Sequence, residues 1–312
     1  MLEDMSKDAL FYNYYAQWIE VYKKDAIREA TMAKYRMTQK WVEKLAPELK
    51  VCELTRTAYQ KILNDYAKEH ERQTTLDFHH QLKGAVMDAV DEGLIERDPT
   101  RKAIIKGKTP REKKIKYLNQ FELHTLIADL DIKEEPNWDW FILLVAKTGM
   151  RFSEALAITP KDFDFEKQTL TINKSYQRLN GRDVITTPKT KKSNRIIKMP
   201  KFLCEEMQEY LQMLYGLKKK DRIFTVTKSY LHHEMDRGAK AAGVKRIRIH
   251  DLRHSHISLL IDMGFSAVAI ADRVGHESID ITYQYAHLFP SKQTEMADRL
   301  DDLGKGEIEN VS

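Results

Sequence analysis

Apolar and aromatic residues recur at helical spacing through four successive segments, 10–22, 31–45, 55–66 and 76–89. A 3.6-residue period gives each segment one apolar face, and four short amphipathic helices hide those faces only by packing together. Pro47 ends the second segment and Pro99 closes the region after the fourth, because proline has no N–H to give a helix interior. The sequence therefore predicts a compact helical bundle, followed by a basic stretch with Gly107 and Pro110 that reads as a linker. The expected divisions are a helical domain at 1–105, a basic linker at 106–116, a second domain at 117–303 and a mobile tail at 304–312.

In the second domain, Asn119 followed three residues later by Glu122 has the pattern of a capping box and opens a helix to about Leu130. A more buried helix over 138–147 stops at Thr148 and Gly149. The period then shortens. Segments 169–173, 183–187 and 194–199 predict a small three-stranded sheet, with Asn180 and Gly181 as a tight turn between the first two. Helical spacing returns at 202–215, 228–242, 250–263, 267–274 and 291–303, with Gly243, Gly264 and Gly275 at helix C-termini. The predicted class is mainly α with a small β-sheet.

Composition narrows the chemistry. The longest strongly apolar run, Phe141 to Ala146, falls well short of the roughly 20 residues that cross a bilayer. The N-terminus, with Glu3 and Asp4, has no signal-peptide pattern. Two cysteines, Cys52 and Cys204, allow neither a disulfide framework nor a zinc ribbon and fit a reducing cytoplasm. A net charge of +5 is a modest basic excess, but its distribution is uneven. Residues 101–120 carry eight Lys/Arg against the single acid Glu112, and 187–198 carries five with no acid. Either run alone is explained by a solvated surface. Two runs flanking a candidate site point to a polyanion.

Four patterns carry candidate chemistry: the block 148–154 with Arg151 and Glu154, the lysine-rich segment 188–193, His250 with Arg253, and Gly275-His276 followed by Tyr285. Each has an ordinary alternative. Arg151 and Glu154 fit a surface ion pair, the lysines a solvated hairpin, and His250 with Arg253 a surface pair on one helix face. His276 fits a capping or core histidine, and Tyr283 and Tyr285 fit core rings. Together they supply every part that metal-free phosphodiester cleavage requires. Tyrosine is a nucleophile whose phosphodiester keeps the bond energy for a second attack. Two arginines fork onto phosphate oxygens, a lysine protonates the leaving oxygen, and a histidine exchanges the nucleophile's proton. A zinc reading of His250, His254 and His256 lacks the His-Glu-x-x-His pattern, and Arg253 would repel the cation, so no metal is expected.

The sequence resembles the tyrosine recombinase family, and within it phage and conjugative-transposon integrases. The resemblance covers about 117–300: a TG-x-R-x-x-E block at 148–154, an H-x-L-R-H block at 250–254 and a G-H block at 275–276. Over 9–99 it rests on helical character and position, as in the family's core-type DNA-binding domain. In the family the nucleophile lies nine positions after the G-H histidine and two before another histidine, which selects Tyr285, with His287, over Tyr283. The hairpin lysine matches Lys189 rather than Lys191 or Lys192.

The resemblance implies a site-specific DNA recombinase acting through a 3′-phosphotyrosine, for integration or excision of a mobile element. Arg151, Arg253 and His276 would stabilise the transition state, Lys189 would be the general acid, His250 the acid–base histidine, and Glu154 would orient the active-site face. Neither cofactor nor ATP is implied, and Gly107-Lys108-Thr109 fails as a phosphate loop because Lys102 stands where its first glycine belongs. The implied partners are double-stranded DNA crossover sites, three further copies in a homotetramer, and accessory DNA-bending or excision factors, in a bacterial cytoplasm and without a membrane. Expected DNA contacts are Lys34, Lys40, His80, Lys83, Lys108, Lys113, Lys114 and Lys116, with Thr31 and Thr38 beside them. The helix at 291–303 would dock on a neighbouring subunit. Many such integrases carry a further N-terminal domain for distal arm sites, whereas this chain starts almost directly at the core-type helices. Two alternatives share the pattern: a topoisomerase of the same chemistry, and a non-catalytic DNA-binding protein.

Overall fold

A computed structural model of the chain describes residues 6–109, 116–132, 136–188, 190–285, 297 and 300. Lys113, Lys114, Lys189, His287, most of 291–303 and all of 304–312 lie outside the described residues. The chain divides into two compact units, Met1–Lys114 and Ile115–Ser312. No helix among the described residues is long and apolar enough to cross a membrane.

The first unit holds α1 (Phe11–Tyr22), α2 (Glu29–Leu45), α3 (Arg56–Ala67) and α4 (Arg72–Asp91). On α1 the buried residues are Phe11, Tyr14, Tyr15, Trp18 and Ile19, the i, i+3, i+4, i+7, i+8 stripe that puts one face into a core. Each such side chain contributes roughly 1.5–3 kcal/mol when fully buried. Polar tips on that stripe find partners on α4: Tyr14 donates to Ala85 O at 3.2 Å, and Trp18 Nε1 donates to Asp88 at 2.6 Å. Residues 103–108, spanning the start of the expected linker, are strapped to this unit. Gln60 both donates to and accepts from the backbone of Ile104, at 2.8 and 2.9 Å. Lys108 N–H donates to His70 O at 2.8 Å, and Gly107 passes so close to Arg72 that a Cβ would lie 2.2 Å from its backbone nitrogen.

The second unit begins with α5 (Gln120–Ala128), closed by the expected capping box: Asn119 Oδ1 accepts from Glu122 N–H, and Glu122 from Asn119 N–H, both at 2.9 Å. Next comes α6 (Asp139–Thr148), buried on every side from Trp140 to Ala146 and so central to the core. The short α7 (Phe152–Ala155) follows at once. After the strands come α8 (Lys201–Met213), α9 (Lys228–Ala241), α10 (Asp251–Asp262), α11 (Ala267–Val274) and α12 (Asp280–Tyr283).

The strands differ from the expected single sheet. β1 (Phe163–Asp164), β2 (Thr169–Ile172) and β5 (Arg195–Lys198) form an antiparallel sheet in the order β1-β2-β5. β3 (Ser175–Leu179) and β4 (Arg182–Thr186) form a separate hairpin. The Asn180-Gly181 turn therefore joins β4 to β3, not to the 169–173 segment. Both turn residues have positive φ, 50° and 78°, as a tight hairpin turn with the strands' own twist requires. The two sheets part at Lys174, whose ammonium turns aside to Asp162 (2.6 and 2.8 Å) and Thr159 (3.1 Å).

Candidate active site

Two arginines anchor the site, each held in the same way. α6 ends at Gly149 and α11 at Gly275, both left-handed with φ of 65° and 70°. Arg253, from α10, donates to Gly149 O at 2.8 Å, and Arg151, opening α7, donates to Gly275 O at 2.8 Å. Carbonyls at helix C-termini lack intrahelical partners and carry partial negative charge, which suits a guanidinium. Gly149 is further required because a Cβ there would lie 2.4 Å from the His256 ring. His256 itself is buried, with Nδ1 2.9 Å from Ala146 O and Nε2 3.3 Å from Arg273 Nε.

Glu154 is the organiser. It is 3% exposed and accepts from Arg151 Nη1 at 2.8 Å and Arg151 N–H at 2.9 Å. It also takes a forked pair of bonds from Arg195, at 3.2 and 2.9 Å. Burial pushes its carboxyl up, but Arg195 and then Arg151 outweigh that and hold it below the usual range. Arg195 also donates to Arg273 O at 2.9 Å and Ser193 O at 3.1 Å, so it ties β5 to the end of α11. Arg253, 4% exposed, has no carboxylate partner among the described residues. Burial, then the Arg151 charge, brings its pKa down to about 9, still cationic at neutral pH. Two guanidinium groups thus share one carboxylate and the third, Arg253, has none among the described residues, which leaves a buried excess of positive charge suited to an anion.

The histidines stand around this charge. His276 is buried, with Nδ1 2.8 Å from Thr282 Oγ1; burial, then Arg253 and Arg151, brings its pKa down to about 3. His254 packs against Tyr285, its Nδ1 within hydrogen-bond reach of the phenol oxygen, and burial, then His250, brings its pKa down to about 4. His250, at the start of α10, is open to solvent along part of its ring. Desolvation of the remainder, then the Arg253 charge, holds it below its ordinary value. No group of three or more His, Cys, Asp or Glu suited to a metal occurs among the described residues.

Tyr285 and Tyr283 have opposite environments. Tyr285 is 3% exposed and packs with Ile257, Ile261, Ile270 and Val274, whereas Tyr283 is 53% exposed. Burial raises the Tyr285 phenol to about 12 despite the opposing Arg253 charge.

The structure thus gathers Arg151, Glu154, Arg253, His276 and Tyr285 into one neighbourhood, with His250 at its edge. Lys189 lies outside the described residues. Three contributors were missed in the sequence. In the sequence Arg195 is only part of a basic run, His254 only a motif position and a zinc candidate, and Thr282 carries no signal. The expected DNA contacts Lys34, Lys40, His80, Lys83, Lys108 and Lys116 are all exposed, as is Thr31. Thr38 is not: it is 5% exposed and donates inward to Gln81 at 2.6 Å, so it is withdrawn as a DNA-facing residue.

A buried cationic cluster beside a buried tyrosine, on a mainly helical domain with small antiparallel sheets, defines a class, and the comparisons agree. Residues 116–292 match the phage integrase family, and the chain belongs to that family of tyrosine recombinases. It is 33% identical over 229 residues to the ICEBs1 integrase of Bacillus subtilis, covering 69% of this chain and 61% of that protein. It is 26% identical over 266 residues to a XerC-like tyrosine recombinase of Caldanaerobacter subterraneus, covering 76% and 68%. Among solved structures, the Tn1549 transposon integrase in complex with a circular intermediate DNA superposes with a TM-score of 0.75 at 16% identity, over 94% of this chain and 99% of that one. The lambda integrase dimer bound to a core site gives 0.63 at 17%, over 89% and 77%. At these identities the structural likeness concerns the fold.

Proposed function

We propose that this chain cuts and rejoins double-stranded DNA at specific sites, for integration or excision of a mobile element, through a covalent link between DNA 3′-phosphate and Tyr285. The observation that carries the reading is the uncompensated Arg253 guanidinium, buried beside Arg151 and facing the neighbourhood of a buried tyrosine. Burying a charge without a partner is costly, and a phosphodiester would relieve that cost.

In the proposed reaction Arg151, Arg253 and His276 bind the non-bridging oxygens, and Tyr285 attacks phosphorus. Thr282 would donate to His276 Nδ1, so that Nε2 carries the hydrogen toward a phosphate oxygen. Glu154 aims Arg151 and keeps its charge from being fully neutralised by sharing itself with Arg195. Lys189 protonates the leaving 5′ oxygen, and a histidine of the 250–254 segment exchanges the nucleophile's proton, the role the family pattern gives to His250. Preorganised donors of this kind contribute roughly 3–4 kcal/mol each to a transition state. The stored phosphotyrosine bond lets the 5′ hydroxyl of a partner strand reverse the step without ATP or a metal ion. The match to the phage integrase family and the likeness to a protein named as a transposon integrase support the mobile-element reading, and a homotetramer on two paired sites is the assembly it calls for. Lys34, Lys40, His80, Lys83, Lys108, Lys113, Lys114 and Lys116 would contact phosphates.

The test is incubation with a nicked duplex carrying the element's own crossover site, in EDTA and without ATP. Wild type should form a detergent-resistant protein–DNA adduct and Tyr285→Phe none. An adduct of equal yield in Tyr285→Phe would overturn the assignment.

A further inference from the structure

The motif pattern gives the phenolic proton to His250, but the hydrogen-bond geometry points elsewhere. Tyr285 is sealed by Ile257, Ile261, Ile270 and Val274, so its hydroxyl has little access to bulk water. A phenol cannot attack phosphate efficiently while it keeps its proton, and at neutral pH a buried phenol does not give that proton to solvent. A local acceptor is needed.

Three histidines are candidates. His276 Nδ1 is taken by Thr282. His250 makes no hydrogen bond to Tyr285 among the described residues, and its ring stands edge-on to His254 at 5.7 Å. His254 Nδ1 meets the Tyr285 hydroxyl, with the two ring centroids 5.8 Å apart. Arg253 and His254 are consecutive on α10, so the same helix turn carries the guanidinium and this imidazole, close enough that the Arg253 charge is felt at His254.

We infer that His254 is the catalytic base that takes the phenolic proton of Tyr285 during strand cleavage, an inference that rests on the strand-exchange reading above. As the Tyr285 Oη–P bond forms, the Oη–H proton passes to the lone pair on His254 Nδ1. The P–O5′ bond breaks with its electron pair on O5′, which takes a proton from the general acid assigned to Lys189. In rejoining, the imidazolium returns its proton to the departing phenolate. The fully buried Asp251 carboxylate favours the transient imidazolium; burial and the His250, Arg253 and Arg248 charges oppose it and prevail in the free protein, and the incoming phosphate supplies the negative charge that offsets them. Nδ1 must be the acceptor, so the resting ring carries its hydrogen on Nε2.

The experiment is single-turnover cleavage of the nicked duplex by wild type, His254→Asn and His254→Ala. Asparagine places an acceptor near the Nδ1 position, so it can hold the tyrosine, but it cannot take the proton. His254→Asn should melt and bind DNA like wild type yet cleave about 100-fold more slowly, the scale of a lost general base. A 5′-bridging phosphorothiolate, whose sulfur leaves without protonation, should not restore it. His254→Ala should recover part of its rate in added imidazole, which also decides the matter should the Asn variant melt early. Cleavage by His254→Asn as fast as wild type, or faster because the contact merely parks the tyrosine, would overturn the assignment. So would rescue by the phosphorothiolate, which would mark an acid. Absence of any adduct from wild type would instead remove the strand-cleavage reading, and this inference with it.

Discussion

Thr282 has two bonds that bear on the same chemistry. Its hydroxyl meets His276 Nδ1 at 2.8 Å, and its carbonyl accepts Tyr285 N–H at 3.0 Å. A residue holding both the His276 imidazole and the Tyr285 backbone couples the positions of the two groups to which the proposed reaction gives phosphate binding and attack. Thr282→Val keeps the shape and removes only the hydroxyl, leaving a buried ring nitrogen unsatisfied, which costs roughly 1–3 kcal/mol. Adduct formation by Thr282→Val should therefore fall about tenfold or more, and Thr282→Ser should restore most of it. Equal rates for Val and wild type would show that the contact plays no part. Neither Thr282 nor Arg195 stands out in the sequence, and the reason is physical. Arg151, Arg253, His276 and Tyr285 sit in local motifs whose residue types already state their chemistry. Arg195 acts through Glu154, 41 residues earlier, and through the end of α11, far along the chain, and nothing in its own sequence neighbourhood sets it apart from the other cations of its run.

Elements with a strong period were legible and those without one were not. The four helices of the first unit and the capping box of α5 follow directly from apolar spacing and side-chain chemistry. β1 has two residues, too few for any period, and β3 alternates around polar side chains with only Tyr176 buried. The missed strand moved the Asn180-Gly181 turn to a different hairpin. By sequence the glycines that end α6 and α11 are helix stops; in the structure their carbonyls also hold the two arginines. That double duty separates their substitutions. Gly275→Ala meets the left-handed penalty, about 1–2 kcal/mol, plus a tight contact with Arg195 at 3.0 Å. Gly149→Ala meets the same penalty and a clash at 2.4 Å with the buried His256 ring, so it should lose more stability. Chemical denaturation should rank wild type above Gly275→Ala and Gly275→Ala above Gly149→Ala. The reverse order would mean that the close approach to His256 is easily relaxed.

On the scale of the whole molecule, charge is arranged rather than abundant. A net +5 is modest, yet exposed Lys34, Lys40, Lys83 and Lys108 belong to the first unit and exposed Lys116 to the second. If the linker lysines track phosphates, binding to any sequence should weaken when they are lost. Replacing Lys113, Lys114 and Lys116 by Ala should reduce the slope of log K against log salt by about 0.9 for each phosphate contact removed. An unchanged slope would set the linker apart from the DNA. The proposed chemistry is more specific than DNA binding: one buried phenol becomes joined to a DNA 3′ end. The most direct measurement is to trap the adduct on a nicked duplex, digest the protein and locate the nucleotide-bearing peptide by mass spectrometry. A 3′-linked nucleotide on Tyr285 is expected; attachment at Tyr283, or through a 5′ phosphate, would rule out the proposed chemistry.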